Sequence, residues 1–299
     1  MPRLWHLAVA VTVAAGLVSP VTLRSMAKAD EVTISQDQAR TGWDPHEPGL
    51  SPQTVSSPRF GRLFQATVDG QVYAQPLVVG SNVIVATEKD NVYSLDAQTG
   101  AQNWKLNLGP SWPSSASGCA DLTPDIGVTS TPVYNPATGE VYLAAVENNG
   151  KSRYLPNVYL VAVNAATGHL DWESLVQGAP VNARTRSFDP LTERQRASLL
   201  LMNGMVYVAF ASYCDFTPYT GLVAAVNTSS HAVSLWTDEA APSGKQAGIW
   251  MSDGGLMSDG SGRIFATSGN GVSPPAGPGN KPSADLSESV FRLAPRLLS

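Results

Sequence analysis

The sequence predicts an all-β chain: a β-propeller of four-stranded antiparallel blades, with about 3.5–4 blades present in an incomplete ring. Three observations predict it. The stretch NVYSLDAQTGAQNW (91–104) recurs as YLVAVNAATGHLDW (159–172), with Asn164, Thr167, Gly168 and Trp172 standing where Asp96, Thr99, Gly100 and Trp104 stand, at the same offsets of +3, +4 and +8. A looser third copy, LVAAVNTSSHAVSLW (222–236), carries Asn227 and Trp236 at offset +9, with Ser230 and His231 in place of Thr-Gly. Before each copy, apolar runs alternate with turn residues, as in PLVVGSNVIVATEKDNVYSLD and TPVYNPATGEVYLAAVEN, which is the rhythm of strand, tight turn, strand.

The elements follow in order. Residues 1–29 hold Arg3, an apolar run from Leu7 to Val18, and Ala27-Lys28-Ala29. A basic start, a short apolar core and a small–x–small end predict a secretory signal cleaved after Ala29. Pro20 interrupts the run, whereas a membrane span needs about 20 apolar residues. Residues 30–58 are expected as an extended N-terminal segment. Units are then expected at about 59–110, 126–178, 195–240 and 248–299, a period of about 65 residues. Within them Gly80-Ser81-Asn82, Lys89-Asp90-Asn91 and Thr138-Gly139 supply hairpin turns, and SDGSG (258–262) is another. LTERQRASLLLM (191–202) reads as a loop running into a strand. An Asx side chain can accept from backbone N–H groups two or three residues on, and glycine tolerates φ > 0. The Trp at the end of each unit is then a wedge between neighbouring sheets. RFGRLFQATV (59–68) reads as an outer strand for a closing blade, and SVFRLAPRLLS reads as a fourth-unit strand after which the sequence stops. Two geometries stand: an open arc, and a four-blade ring closed by pairing 59–68 with 288–294.

The motif D-x-x-T-G-x-x-x-W after a VY-x-L strand resembles the docking motif of pyrroloquinoline-quinone-type, or quinoprotein-like, β-propellers. GWDPHEPGLSPQTVSSPRFGRLFQATVDGQVYAQPLVV (42–79), IGVTSTPVYNPATGEVYLAA (126–145), QRASLLLMNGMVYVAFASYCDFTPYTG (195–221) and GIWMSDGGLMSDGSGRIFATSGNG (248–271) extend the likeness to a bacterial secreted branch over roughly residues 42–294. The resemblance implies the fold strongly and the function weakly, because such blades serve quinone dehydrogenases, outer-membrane assembly lipoproteins and other secreted proteins. In the alcohol dehydrogenases of the family, the cofactor lies in the axial channel of a complete ring, between adjacent cysteines and a Trp. Calcium is held there by a carboxylate and an amide, and an Asp is the base. Here the two cysteines, Cys119 and Cys214, are 95 positions apart, so no catalytic residue carries over. Pyrroloquinoline quinone with calcium is implied by resemblance alone, and the residues require no cofactor.

Composition narrows the classes further. The 299-residue chain is 43% hydrophobic and 14% charged, with 26 Gly, 22 Pro and seven Trp, which suits a turn-rich β fold. Removing 1–29 takes away Arg3, Arg24 and Lys28 and no acid, so the net charge falls from −5 to −8. An acidic chain without a basic cluster argues against nucleic acid and anionic membranes as partners. A protein or glycan bound by loops on one blade face is the expected partner class, and stable membrane insertion is not expected once the signal is removed. Cys119 and Cys214 lie in similar loops of neighbouring units, so one disulfide and two separate thiols are both open, with the disulfide favoured by an oxidising compartment. His46, His169 and His231 show no metal-ligand spacing, and the last two read as exposed spacers in the repeat turns. Asp121, Asp125, Asp215 and Asp253 are the acidic candidates. Trp250, beside Asp253 in GIWMSDGG, could stack on a flat ligand. Two readings of this set compete: a quinone or sugar site roofed by loops, or a Trp packed between blades and carboxylates capping turns. Three functions follow: a non-catalytic binding or scaffold module secreted from the cell, a truncated copy of one, or a quinone-dependent dehydrogenase of alcohols or sugars.

Overall fold

The structure, a computed structural model, describes residues 30–45, 47, 49–151, 155–252, 254–271 and 284–294. The expected signal (1–29), His46 and Asp253 lie outside the described residues.

Blade 1 is β1 (Leu77–Val79), β2 (Asn82–Ala86), β3 (Asn91–Asp96) and β4 (Gln102–Asn107), paired antiparallel in chain order. A two-stranded ribbon, β5 (Trp112–Pro113) with β6 (Asp125–Ile126), lies in the connection that follows. Blade 2 is β7 (Val133–Asn135), β8 (Glu140–Asn148), β9 (Pro156–Asn164) and β10 (Leu170–Leu175). In blade 3, β11 (Glu193–Gln195) and β12 (Leu200–Met202) both pair with β13 (Met205–Ser212), which is followed by β14 (Leu222–Asn227) and β15 (Val233–Thr237). Blade 4 is three-stranded among the described residues: β16 (Met257–Ser258), β17 (Ile264–Thr267) and β18 (Val290–Leu293). The stretch 191–202 thus supplies two short strands, β11 and β12, rather than a loop into one.

The middle strands are apolar throughout because both of their faces are buried. Side chains alternate across a sheet. On β8, Val141, Leu143 and Ala145 join Leu77, Ile84 and Val92 of blade 1, while Tyr142, Ala144 and Val146 join Val206, Val208 and Phe210 of blade 3. On β13, Met205, Tyr207 and Ala209 turn the other way, towards Ile264, Ala266 and Phe291 of blade 4. The core is therefore three successive layers, each between two sheets.

The stretch 59–68 forms no strand and pairs with nothing in 288–294. Four blade sheets follow one another, and among the described residues the closed four-blade geometry is not formed. Instead Ala66 and Val68 cover Val85, Tyr93 and Leu95 on the outer face of blade 1.

The N-terminal segment is irregular rather than extended, with positive φ at Ser35, Gln36 and Arg40 and a one-turn helix, α1 (Pro52–Val55). Its first part crosses the first strands of all four blades. Glu31 bridges Val78 of β1, and Tyr134 N of β7 donates to Val32 O at 2.8 Å. Gln38 Nε2 donates to Leu201 O of β12 at 2.7 Å, and Ser258 N of β16 donates to Gln38 O at 2.7 Å. The Arg40 guanidinium donates to Leu199 O (3.0 Å), Leu256 O (2.9 Å) and Thr33 Oγ1 (2.6 Å). These strands are sheet edges with unpaired backbone groups, and β7 lies beside both β1 and β12. The segment satisfies groups that burial at the axis would otherwise leave unpaired.

Candidate functional site

The two ends of the blades differ. One end carries the repeat turns. Asp96 Oδ1 accepts from Gln98 N, Thr99 N and Thr99 Oγ1 at 2.8–3.0 Å. Asn164 Oδ1 accepts from Ala166 N and Thr167 N, and Asn227 Oδ1 from Ser229 N and Ser230 N. Trp104 lies over Gly168, and its Nε1 donates to Ala165 O at 3.1 Å. Trp172 stacks on His231, with ring centroids 4.3 Å apart and planes 18° apart, and its Nε1 donates to Glu140 Oε1. His231 is thus more than a spacer: it presents a flat ring where the tighter copies have glycine. Trp236 meets Phe291 of blade 4 at 5.3 Å.

The other end carries the long connections and the chemistry. Cys119 and Cys214 form a disulfide there, with Cα atoms 5.7 Å apart, tying the blade 1–2 connection to the β13–β14 loop. Trp112 packs edge-on against Tyr213 beside it. Asp121 pairs with Arg194 Nη1 at 3.4 Å. Asp125 accepts from Ser111 Oγ, and Asp215 accepts from Ser212 Oγ and from Tyr219 OH at 2.8 Å. Trp250 is half-buried against the backbone of Gly248 and Gly269. These candidates do not converge on one point. The set Cys119, Asp121 and Cys214 has ligand atoms within 4.8 Å of one another, but both sulfurs are spent in the disulfide.

Residues that the sequence reading passed over are the more unusual ones. Glu88, Asp90, Glu193, Asp238 and Glu239 are buried. Both carboxylate oxygens of Asp90 and of Asp238 lack a hydrogen-bond partner, as do Glu88 Oε1, Glu193 Oε2 and Glu239 Oε1. Burial disfavours the charged form. It raises Glu88, Glu147 and Glu239 to about 7 and holds Asp90, Glu193 and Asp238 well above the usual range, with neighbouring carboxylates adding to the effect. Glu88 Oε2 accepts from Gly127 N and Thr129 Oγ1. Glu193 Oε1 accepts from Thr220 N at 3.2 Å, and this side chain lines an open cleft of about 220 Å³ with Arg186, Asp189, Tyr219 and Thr220. The Tyr219 hydroxyl is pushed up to about 12 by burial and by Asp215. Arg186 Nη2 donates to Ala241 O, while its Nε lacks a partner. The cleft thus presents carboxyl, guanidinium and phenol groups that can hydrogen-bond a small polar moiety. In the sequence, Asp90 falls in the expected Lys89-Asp90-Asn91 turn, Glu88 just before it and Asp238 just after an apolar strand, places where a carboxylate is ordinarily solvated.

Blades of antiparallel strands with Asx–Gly turns, each carrying a ring onto the next blade, define a quinoprotein-type β-propeller. Residues 61–270 match the family model described as outer membrane protein assembly factor BamB, and the chain belongs to that family. No curated protein sequence matches it. Among solved structures, it is similar to the quinohemoprotein alcohol dehydrogenase from Comamonas testosteroni, at 18% identity and a TM-score of 0.57, over 83% of this chain and 37% of that one. A europium-containing methanol dehydrogenase matches at 17% identity and a TM-score of 0.54, over 81% of this chain and 42% of that one. The chain spans less than half the length of either dehydrogenase, and identity this low shows the fold alone.

The residues described do not fit a quinone–calcium centre of the kind the resemblance implies. The two sulfurs join distant loops rather than adjacent positions. The Trp250 ring lies on its own neighbouring glycines, and the first strands at the axis are bridged by residues 31–40.

Proposed function

We propose that this chain is a secreted, non-catalytic propeller module that binds a protein or glycan through the face carrying the Cys119–Cys214 loops. One observation carries this reading. Residues 31–40 bond to the first strands of all four blades, so the axis, where the resemblance would put a cofactor, is engaged by the chain itself. The polar cleft at Glu193 and Arg186 opens beside the long connections instead. Blade-docking residues 96–104, 164–172 and 227–236 serve the fold in this reading. Secretion with cleavage after Ala29 is supported by the contacts that begin at once: Asp30 Oδ1 accepts from Gly80 N at 2.8 Å, and Glu31 bridges β1. Among the described residues no helix is long and apolar enough to cross a membrane.

The test is to reconstitute the exported protein with calcium and pyrroloquinoline quinone and to supply primary alcohols and aldoses with a dye acceptor. Dye reduction no faster than the free-cofactor blank is expected. Turnover abolished by Trp250→Ala or Asp253→Ala would overturn the reading in favour of a dehydrogenase. N-terminal sequencing of the exported chain should begin at Asp30.

A further inference from the structure

The cleft at Glu193 has a fixed floor and an open rim. It lies between the connection that leads into β11 and the residues Pro218–Thr220 of the β13–β14 loop, the loop that carries Cys214. The Arg186 side chain is held from behind, because its Nη2 donates to both Ala241 O and Gly244 O. Its Nε lacks a partner, and no bond to Nη1 occurs among the described residues. Glu193 forms the floor and is 4% exposed, with Oε1 accepting from Thr220 N and Oε2 left without a partner. Burial, with the neighbouring Asp238 and Asp189, keeps its proton in place, so the carboxyl is neutral and offers one donor as well as an acceptor.

At the rim, Asp189 is exposed, and its Oδ1 accepts from Leu191 N at 3.0 Å, which fixes how the carboxylate is turned. Pro180, Pro218 and Leu222 supply the apolar part of the wall. The Tyr219 hydroxyl donates to Asp215 at 2.8 Å. Asp215 adjoins Cys214, so the disulfide steadies one side of the cleft.

These groups set the chemistry of what fits. One guanidinium and one rim carboxylate balance each other, and the Glu193 carboxyl adds no charge. A charged ligand would face a group of its own sign, whereas a hydroxyl donates and accepts at once and can serve both. Hydroxyls beside an apolar face are the surface of a sugar ring. The cleft volume of about 220 Å³ lies below the roughly 300–1,000 Å³ of sites for drug-sized ligands, so it admits one ring while the rest of a chain leaves by the open side.

We propose that this cleft binds the terminal, uncharged hexopyranose of a glycan. Arg186 donates to one ring hydroxyl, Asp189 accepts from another, and the C–H face of the ring lies against Pro218. The proposal rests on reading the chain as a binding module, and it names the site and the ligand of that module.

The test is to titrate the exported protein, labelled with ¹⁵N, with the methyl α- and β-pyranosides of glucose, mannose and galactose up to about 50 mM. The arginine Nε–H resonances are followed throughout. At least one glycoside should bind with a Kd of about 0.1–10 mM and shift a resonance that Arg186→Lys removes. Asp189→Asn, which can keep the bond to Leu191 N, should weaken binding at least about fivefold, whereas Asp171→Asn, beside the repeat turn of blade 2, should not. The anionic methyl glucuronide and the cationic methyl glucosaminide should bind at least about threefold more weakly than the neutral sugar. Asp189 is exposed, so unchanged thermal unfolding checks its fold, and it decides the matter alone where Arg186→Lys proves unfolded. No shift with any neutral glycoside, binding indifferent to Asp189→Asn, or tighter binding of either charged sugar overturns the proposal. Each of these leaves the non-catalytic reading standing. Quinone-dependent turnover in the dye assay removes that reading whether or not a sugar binds.

Discussion

The indole of Trp104 packs against Gly168, with two ring carbons 2.7 Å from where a β-carbon would be, and its Nε1 donates to Ala165 O at 3.1 Å. This contact joins blades 1 and 2 by sterics and by a hydrogen bond together. Gly168 also sits at φ +73, a conformation that side-chain-bearing residues resist. Gly168→Ala should cost about 1–3 kcal/mol and Trp104→Ala about 3 kcal/mol in urea unfolding. The double variant should fall short of the sum, because the two residues touch.

Stability should decline as pH rises from 4.5 to 7. Glu88, Glu147 and Glu239 hold their protons to about pH 7 in the fold, against an ordinary value of 4.5. In that window the unfolded chain binds fewer protons than the folded one, so stability contributed by these groups is full below 4.5 and lost by 7. For Glu88, which is fully buried, the loss is about 3 kcal/mol. Exposed Asp96, lowered by its bonds with Thr99, acts in the opposite sense and loses its contribution as pH falls below the ordinary 3.8. An optimum between about 4 and 5 follows in a pH series of denaturation midpoints. Glu88→Gln, which can still accept from Gly127 N, should flatten the decline by about one proton.

Reduction should expose the weight of the disulfide. It closes a separation of 95 residues, for which loop-closure entropy gives about 4–5 kcal/mol before any native strain. The paired Cys119→Ala, Cys214→Ala variant should unfold at markedly lower denaturant than the oxidised protein. Adding a reductant should shift the wild-type midpoint and leave that variant's unchanged.

Arg40→Met should loosen blades 3 and 4 first. The guanidinium is half-buried, with desolvation lowering its pKa to about 10, and it donates to carbonyls just ahead of β12 and β16. Losing these charge-assisted bonds should cost about 3 kcal/mol. Arg40→Lys should recover less than half of it, because one ammonium cannot span the same acceptors. Hydrogen exchange should quicken in 199–202 and 256–258 before it does in blade 2.

Much of the fold was legible in the sequence, and for a local reason. Asx–Thr–Gly turns act through bonds within four residues, so Asp96, Asn164 and Asn227 marked the ends of β3, β9 and β14 wherever the rest of the chain lay. The wholly apolar runs at β8 and β13 announced strands buried on both faces, and the Trp at the end of each unit announced a neighbour for that ring to cover. The even spacing of these signals carried the propeller architecture with it.

What the tertiary structure alone decided is what depends on distant partners. Nothing near Glu88 or Asp238 distinguishes a turn carboxylate in water from one enclosed beneath another connection; burial is a property of the packed blades. The pairing of Cys119 with Cys214 needed two loops from different units to meet. Arg40 lies in an irregular segment without periodicity, and its role exists because the first strands of four blades converge at the axis. Residues 59–68 carry a strand-like pattern but form no strand, because a strand exists only where an edge is present to receive it. Local turn chemistry and periodicity are written in neighbouring residues, whereas desolvation and edge pairing arise when remote ones are brought together.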